Sequence, residues 1–229
     1  MKYVINGLKV AGFIGLALAC NVIPMILLRQ QGNMSLSFKW LSGGLYIVFL
    51  VLSMRLVWHY YQKIEHQNRS RQKIGWRDLG ISLLFWLAAR VIAVVGSLTN
   101  HIVTGQTTSA NDAALASMTS LFDRGFLLYT ILYLLAIAFV APFMEELAYR
   151  ALPAELFFEG RLKALTGLVT SILFGLPHAS NLTEFIMYSL IGAVLYLAYQ
   201  RRGNIKDAIL LHVLNNLPAA LYFLWLAFQ

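Results

Sequence analysis

The sequence predicts an all-α fold, a polytopic integral membrane bundle of about seven transmembrane helices. Hydrophobic residues fill 59% of the 229 positions and charged residues only 12%, against about 25% charged in a soluble domain. The apolar residues come in blocks long enough to cross a bilayer core of about 30 Å as helices. The basic residues behind the net charge of +8 collect in alternate connections. That pattern is the signature of membrane orientation rather than of nucleic-acid binding.

Taken in order, the candidate spans are 4–28, 40–61, 79–99, 125–158, 163–180, 183–200 and 205–227. The first needs justification, because Lys2 and Lys9 followed by Ala-Leu-Ala-Cys20 resemble a signal peptide or lipoprotein site. The apolar run continues past Cys20 to Leu28, where a cleaved signal gives way to polar chain, so it reads as a retained span. Cys20 is the only cysteine, which excludes an internal disulfide. The second connection holds Lys63, Arg69, Arg71, Lys73 and Arg77, the fourth Arg161 and Lys163, and the sixth Arg201, Arg202 and Lys206. The alternate connections hold Arg29 and Lys39, then Arg124 alone, then none. An odd number of spans with a cytoplasmic N-terminus puts every basic connection inside. The third connection, Asn100 to Arg124, is rich in Thr, Ser, Ala and Asn and reads as an external loop with a short helix. The whole of 1–229 reads as a single membrane domain, with 1–124 as N-terminal spans and 125–229 as the part that carries motifs.

Those motifs centre on Glu145-Glu146-Leu-Ala-Tyr-Arg150, which closes the apolar run from Phe126 to Phe143. An ionisable side chain at membrane depth costs about 2.5 kcal/mol or more and is a functional candidate by default. Residues 147–158 hold no glycine, and Gly160 is a natural stop, so the fourth helix extends to about Phe158. Glu145 then lies about 20 Å from that end, and His178 about 22 Å along the returning helix from Lys163. On the last helix His212 and Asn216 lie about 10 and 17 Å in from Ile205. The groups therefore reach similar depth, in a site expected to open to the cytoplasmic, basic side. Glu145 and Glu146 point about 100° apart on a helix and cannot do the same job. Glu146 and Arg150, four residues apart with the acid first, form the better ion pair, which leaves Glu145 free. His212 and Asn216 share one face; Asn215 is the alternative donor. Pro142, Pro177 and Pro218 accompany the three clusters, and a proline frees a backbone carbonyl and bends its helix. Arg90, in mid-span, has no partner visible in the sequence; Glu155 or a helix C-terminus are the candidates.

Three motifs in this order, Glu145-Glu146-x-x-x-Arg150, Phe174-x-x-x-His178 and His212-x-x-x-Asn216, resemble those of the CAAX-prenyl protease and bacteriocin-processing (Abi) family of intramembrane endopeptidases. The resemblance covers roughly 125–229. Ala151 stands where glycine is expected after the arginine, a departure that touches no chemical group. The resemblance implies a helical peptidase in which Glu145 and His178 activate water while His212 and Asn216 stabilise the oxyanion, with Glu146 and Arg150 in support.

The residues permit this chemistry in their own right. Peptide hydrolysis needs a base for water and donors for the tetrahedral oxyanion. A carboxylate withdrawn from water is a better base than a surface one, and each oxyanion donor is worth about 3 kcal/mol in other hydrolases. No Gly-x-Ser-x-Gly or His-Glu-x-x-His motif is present. The expected reaction uses no cofactor; the alternative is zinc held by Glu145, His178 and His212, a His₂Glu set. The expected partners are the lipid bilayer and a membrane-associated peptide or protein substrate, with no nucleic acid. The compact chain reads as a bacterial plasma-membrane protein acting in peptide maturation, signal-peptide processing or bacteriocin self-immunity. Two other classes compete: a non-enzymatic immunity or regulatory protein that binds a peptide in the same pocket, and a transporter. The transporter reading is weakened by the lack of internal repeats.

Overall fold

The computed structural model describes residues 1–66, 69–122 and 125–227. Eight helices are found among them. Helix α1 (Lys2–Gln30) tolerates the internal Pro24, and Ser35 caps α2 (Leu36–Ile64) by accepting from the Phe38 N–H. Helix α3 (Trp76–Thr104) starts where the Asp78 carboxylate accepts from the Gly75 N–H at 2.9 Å. It stops at Gly105, whose φ of 76° is left-handed. The short α4 (Ala110–Ala116) follows, capped by Ser109. Helix α5 runs unbroken from Leu127 to Phe158 and ends in left-handed Glu159 and Gly160, at the stop expected from the sequence. Then come α6 (Lys163–Gly175), α7 (Leu182–Arg202, capped by Asn181) and α8 (Ile205–Leu226, capped by Asn204).

Six of these helices are long and apolar enough to cross a membrane; α6 is the shorter seventh. The sequence expected a span over 163–180, but the regular helix stops at Gly175 and tightens into a 3₁₀ turn, Leu176–His178. Pro177 explains the stop, since it has no N–H to donate to the carbonyl of Leu173 and its ring crowds that carbonyl. Helices α6 and α7 pack closely through small residues: a Cβ on Gly192 would lie 3.1 Å from the Ser171 backbone, and one on Gly175 would run into Ser189. Such close backbone approach is how membrane helices associate when apolar burial offers no preference over lipid.

The connections expected on one side do gather at one end. There Arg201 and Arg202 pair with Asp78 and Asp207 at 2.5–3.0 Å, Lys2 with Glu159 at 2.8 Å, and His66 with Glu155 at 2.5 Å. This end holds the start of α1, while α8 begins here and finishes at the other. The opposite end carries α4, with Arg29 and Lys39 in the first connection; Arg124, the one basic residue of the third connection, lies outside the described residues. Glu184, buried at the start of α7, accepts from the Ala110 N–H at 2.9 Å and so ties α4 to the bundle.

Candidate active site

Helix α5 is not regular where it matters. It widens into π-helical turns at Ala136–Val140 and Glu146–Ala151, upstream of Pro142 and Pro153. A proline ring clashes with the carbonyl four residues back, and a wider turn relieves the clash. The consequence at the first turn is specific. The Ala141 N–H reaches Ala136 O, so Ile137 O loses its α-helical donor. Its π-helical donor would be residue 142, a proline without an N–H. Asn216 Nδ2 supplies the missing hydrogen bond at 3.1 Å, which docks α8 on α5 at this level. Bundled membrane helices admit proline through repairs of this kind.

Between the two wide turns the paired glutamates diverge. Glu146 is fully buried and forms an ion pair with Arg150, itself fully buried. The guanidinium also donates to Gly192 O at 3.0 Å and lies 5.6 Å from the centre of the Phe174 ring. The other carboxylate oxygen of Glu146 lies 2.9 Å from His212 Nδ1. A carboxylate only accepts, so Nδ1 carries the proton. His178 is set in a similar way, with Nδ1 donating to Phe174 O at 2.7 Å. Both rings therefore turn Nε2 toward Glu145 Oε2, at 3.5 Å for His178 and 4.0 Å for His212. Phe174 touches both imidazoles, stacked on His178 with centroids 4.5 Å apart and edge-on to His212 at 5.5 Å.

Glu145, His178, His212 and Asn216 line one cavity of about 330 Å³. The three sequence segments that carry the motifs thus meet in space. The direction of the cavity differs from expectation. It includes Asn111, Asp112, Ala114 and Leu115 of α4 and no residue of the basic connections. It therefore runs toward the end opposite the one anticipated, between α4 and the outer halves of α1 and α3.

Sequence reasoning left three site features unseen. Asn21 of α1 donates from Nδ2 to Glu145 Oε1 at 2.9 Å; an asparagine inside an apolar span was the available signal. Arg90 finds neither Glu155 nor a helix end but Asn215 Oδ1, and Glu155 is engaged by His66. Asn215 Nδ2 in turn donates to Asn216 Oδ1 at 3.2 Å. The choice between the two asparagines resolves into a chain, with Asn215 orienting the amide of Asn216. No group of three His, Cys, Asp or Glu side chains among the described residues is set at metal-holding geometry.

A helical membrane bundle with carboxylate, imidazole and amide groups converging on a buried cavity is the class that fold and site define. Residues 127–218 match the Rce1-like family model, described as type II CAAX prenyl endopeptidase Rce1-like, and the matched stretch contains all three motifs. The chain is also 24% identical over 148 residues to a Bacillus subtilis protein named "Putative membrane peptidase YdiL". That alignment takes in 62% of this chain and 57% of the relative, so the chain spans less than two thirds of the length of the relative it matches. No solved structure matches it significantly.

Proposed function

We propose that this chain is an intramembrane endopeptidase that hydrolyses a membrane-associated peptide or protein by a glutamate-type mechanism. The observation that carries the reading is the face-to-face arrangement of two acceptors, Glu145 Oε2 and His178 Nε2, 3.5 Å apart on the cavity wall. With its Nδ1 proton committed to Phe174 O, neutral His178 presents a lone pair at Nε2. A water donating one proton to each acceptor is held with its own lone pair free to attack. As its oxygen bonds to the scissile carbonyl carbon, one proton passes to Glu145. The oxyanion is met by the remaining N–H of Asn216 Nδ2, beside the His212 ring, whose Nδ1–H is held by Glu146. The tetrahedral species then collapses: the C–N bond breaks, the proton on Glu145 moves to the leaving nitrogen, and an acid and an amine are released. The charged and dipolar groups are in place before reaction, the arrangement that gives electrostatic catalysis its largest effect.

Family and relative support a peptidase in a bacterial plasma membrane, and the gathered basic connections support a cytoplasmic N-terminus. Peptide maturation, signal-peptide processing or bacteriocin self-immunity are the roles proposed. Reporter fusions after Lys73 and after Asp112 are expected to read cytoplasm and exterior respectively. Mass spectrometry of peptides released from membranes carrying wild type or Glu145→Gln tests the activity. Peptides made only by the wild type are expected, and identical sets would overturn the reading in favour of a peptide-binding protein.

One observation favours a second mechanism. A histidine whose Nδ1–H is held by a carboxylate or carbonyl and whose Nε2 is free is the arrangement that orients metal-ligating imidazoles, and His178 and His212 both have it. Glu145, His178 and His212 are the residues that would hold zinc, which when bound supplies Lewis acidity and an activated water.

A further inference from the structure

Resting on the peptidase reading, the geometry points to Asn21 of α1 as a substrate-positioning residue: its Nδ2 fixes the catalytic Glu145, and its Oδ1 accepts a main-chain N–H of the bound peptide. Three independent facts converge on it. Asn21 Nδ2 donates to Glu145 Oε1 at 2.9 Å, which leaves Oε2 as the oxygen that faces His178 and His212. Among the described residues Asn21 Oδ1 is buried with no hydrogen-bond partner. The side chain lines the same cavity as Glu145, His178, His212 and Asn216.

The direction of the amide follows from chemistry. A carboxylate offers only lone pairs, so the NH₂ of Asn21 must face Glu145 and the carbonyl oxygen must take the other arm. A buried acceptor without a donor costs about 1–3 kcal/mol, and such a cost at a cavity wall beside a general base marks a place that a ligand fills. Water is not the occupant this argument needs, because the attacking water already has acceptors for both protons in Glu145 Oε2 and His178 Nε2. A peptide drawn into the helical cavity carries the complementary group. Its main-chain N–H groups have lost water and must be satisfied by protein. Helix α1 is held firmly enough to present the acceptor: Cys20 O, next to Asn21, accepts from the Tyr46 hydroxyl at 2.6 Å. The N-terminal spans, which carry no motif, thus complete the site.

The test starts from the peptides that the wild type releases and Glu145→Gln does not. A synthetic precursor of one such peptide is assayed in detergent with wild type, Asn21→Leu and Asn6→Leu, thermal unfolding being recorded for each. Asn21→Leu is expected to lower kcat/KM about 100-fold, the scale of a misplaced reacting group. Asn6→Leu removes a side-chain hydrogen bond on the same helix, from Asn6 Nδ2 to Leu156 O at 2.7 Å, and is expected to lower stability with kcat/KM unchanged. A second series replaces each amide N–H flanking the scissile bond by an ester oxygen. One position is expected to slow the wild type and to have no further effect in Asn21→Leu, the non-additivity of two groups in contact. If Asn21→Leu does not fold, Asn21→Ala takes its place in both series. Full activity in the Asn21 variants, or ester penalties that add at every position, would overturn this inference and leave the peptidase reading standing. Absence of any Glu145-dependent peptide would remove both.

Discussion

His212 Nδ1 lies 2.9 Å from Glu146 Oε1, so the carboxylate that neutralises Arg150 also sets the tautomer of the imidazole facing Glu145. The ion pair expected from the four-residue spacing is therefore more than a packing device. It joins the buried scaffold of α5 to the face of α8 that lines the cavity.

Breaking that pair is expected to cost about 3–5 kcal/mol of stability, because a buried charge is left uncompensated. Glu146→Gln and Arg150→Met should both show the loss in thermal unfolding in detergent. The double variant Glu146→Gln/Arg150→Met should recover much of it, since no charge remains buried. Activity should not return with stability, because a neutral amide no longer holds His212 as a carboxylate does. Recovery of both together would assign Glu146 to structure alone.

The chain from Arg90 to Asn215 to Asn216 predicts an effect at a distance. Asn215→Ala releases the Asn216 amide, which then has only Ile137 O to orient it. A fall in kcat on the order of 10-fold with little change in KM is expected, a fraction of the 10²–10³ that a lost oxyanion donor costs. Arg90→Met should act in the same direction. A change confined to KM in steady-state kinetics would place both residues in substrate binding instead.

At Gly192 α7 lies against the backbone of α6, a Cβ there meeting both Ser171 Cα and its carbonyl oxygen at 3.1 Å. Gly192→Val must push α6 outward and carry Phe174 and His178 with it. A loss of about 1–3 kcal/mol is expected from the overpacking, together with reduced activity. Gly44, which has open space around it, is the control position, and valine there should be tolerated. Equal tolerance at both positions would remove the argument for close packing.

Metal dependence separates the two mechanisms. The glutamate-type reading expects less than one equivalent of transition metal in purified protein and unchanged turnover after exhaustive treatment with a strong chelator. Stoichiometric zinc, with activity lost on removal and restored on return, would recast Glu145, His178 and His212 as ligands. Metal analysis beside activity decides it.

Hydropathy and charge are local properties, and what depends on them alone was legible in the sequence. The apolar blocks located the helices, the alternation of Lys and Arg gathered the basic connections at one end, and Gly160 marked the end of α5. The depth argument that brought Glu145, His178 and His212 together needed only rise per residue and chain direction, both of which are properties of any helix. What required the tertiary structure was every relation between side chains on different helices. Asn21, one polar residue in an apolar span, acquires meaning only because α1 lies against α5 at the level of Glu145. Arg90 finds Asn215 across 125 positions of sequence, beyond the reach of any periodicity. Pro142 could be seen to free a carbonyl, but that the carbonyl is Ile137 O and that Asn216 repairs it follows from the registry of α8 on α5. The direction of the cavity was misjudged for the same reason: it depends on where helices stand apart, and separation between helices is set by packing, which no single segment encodes.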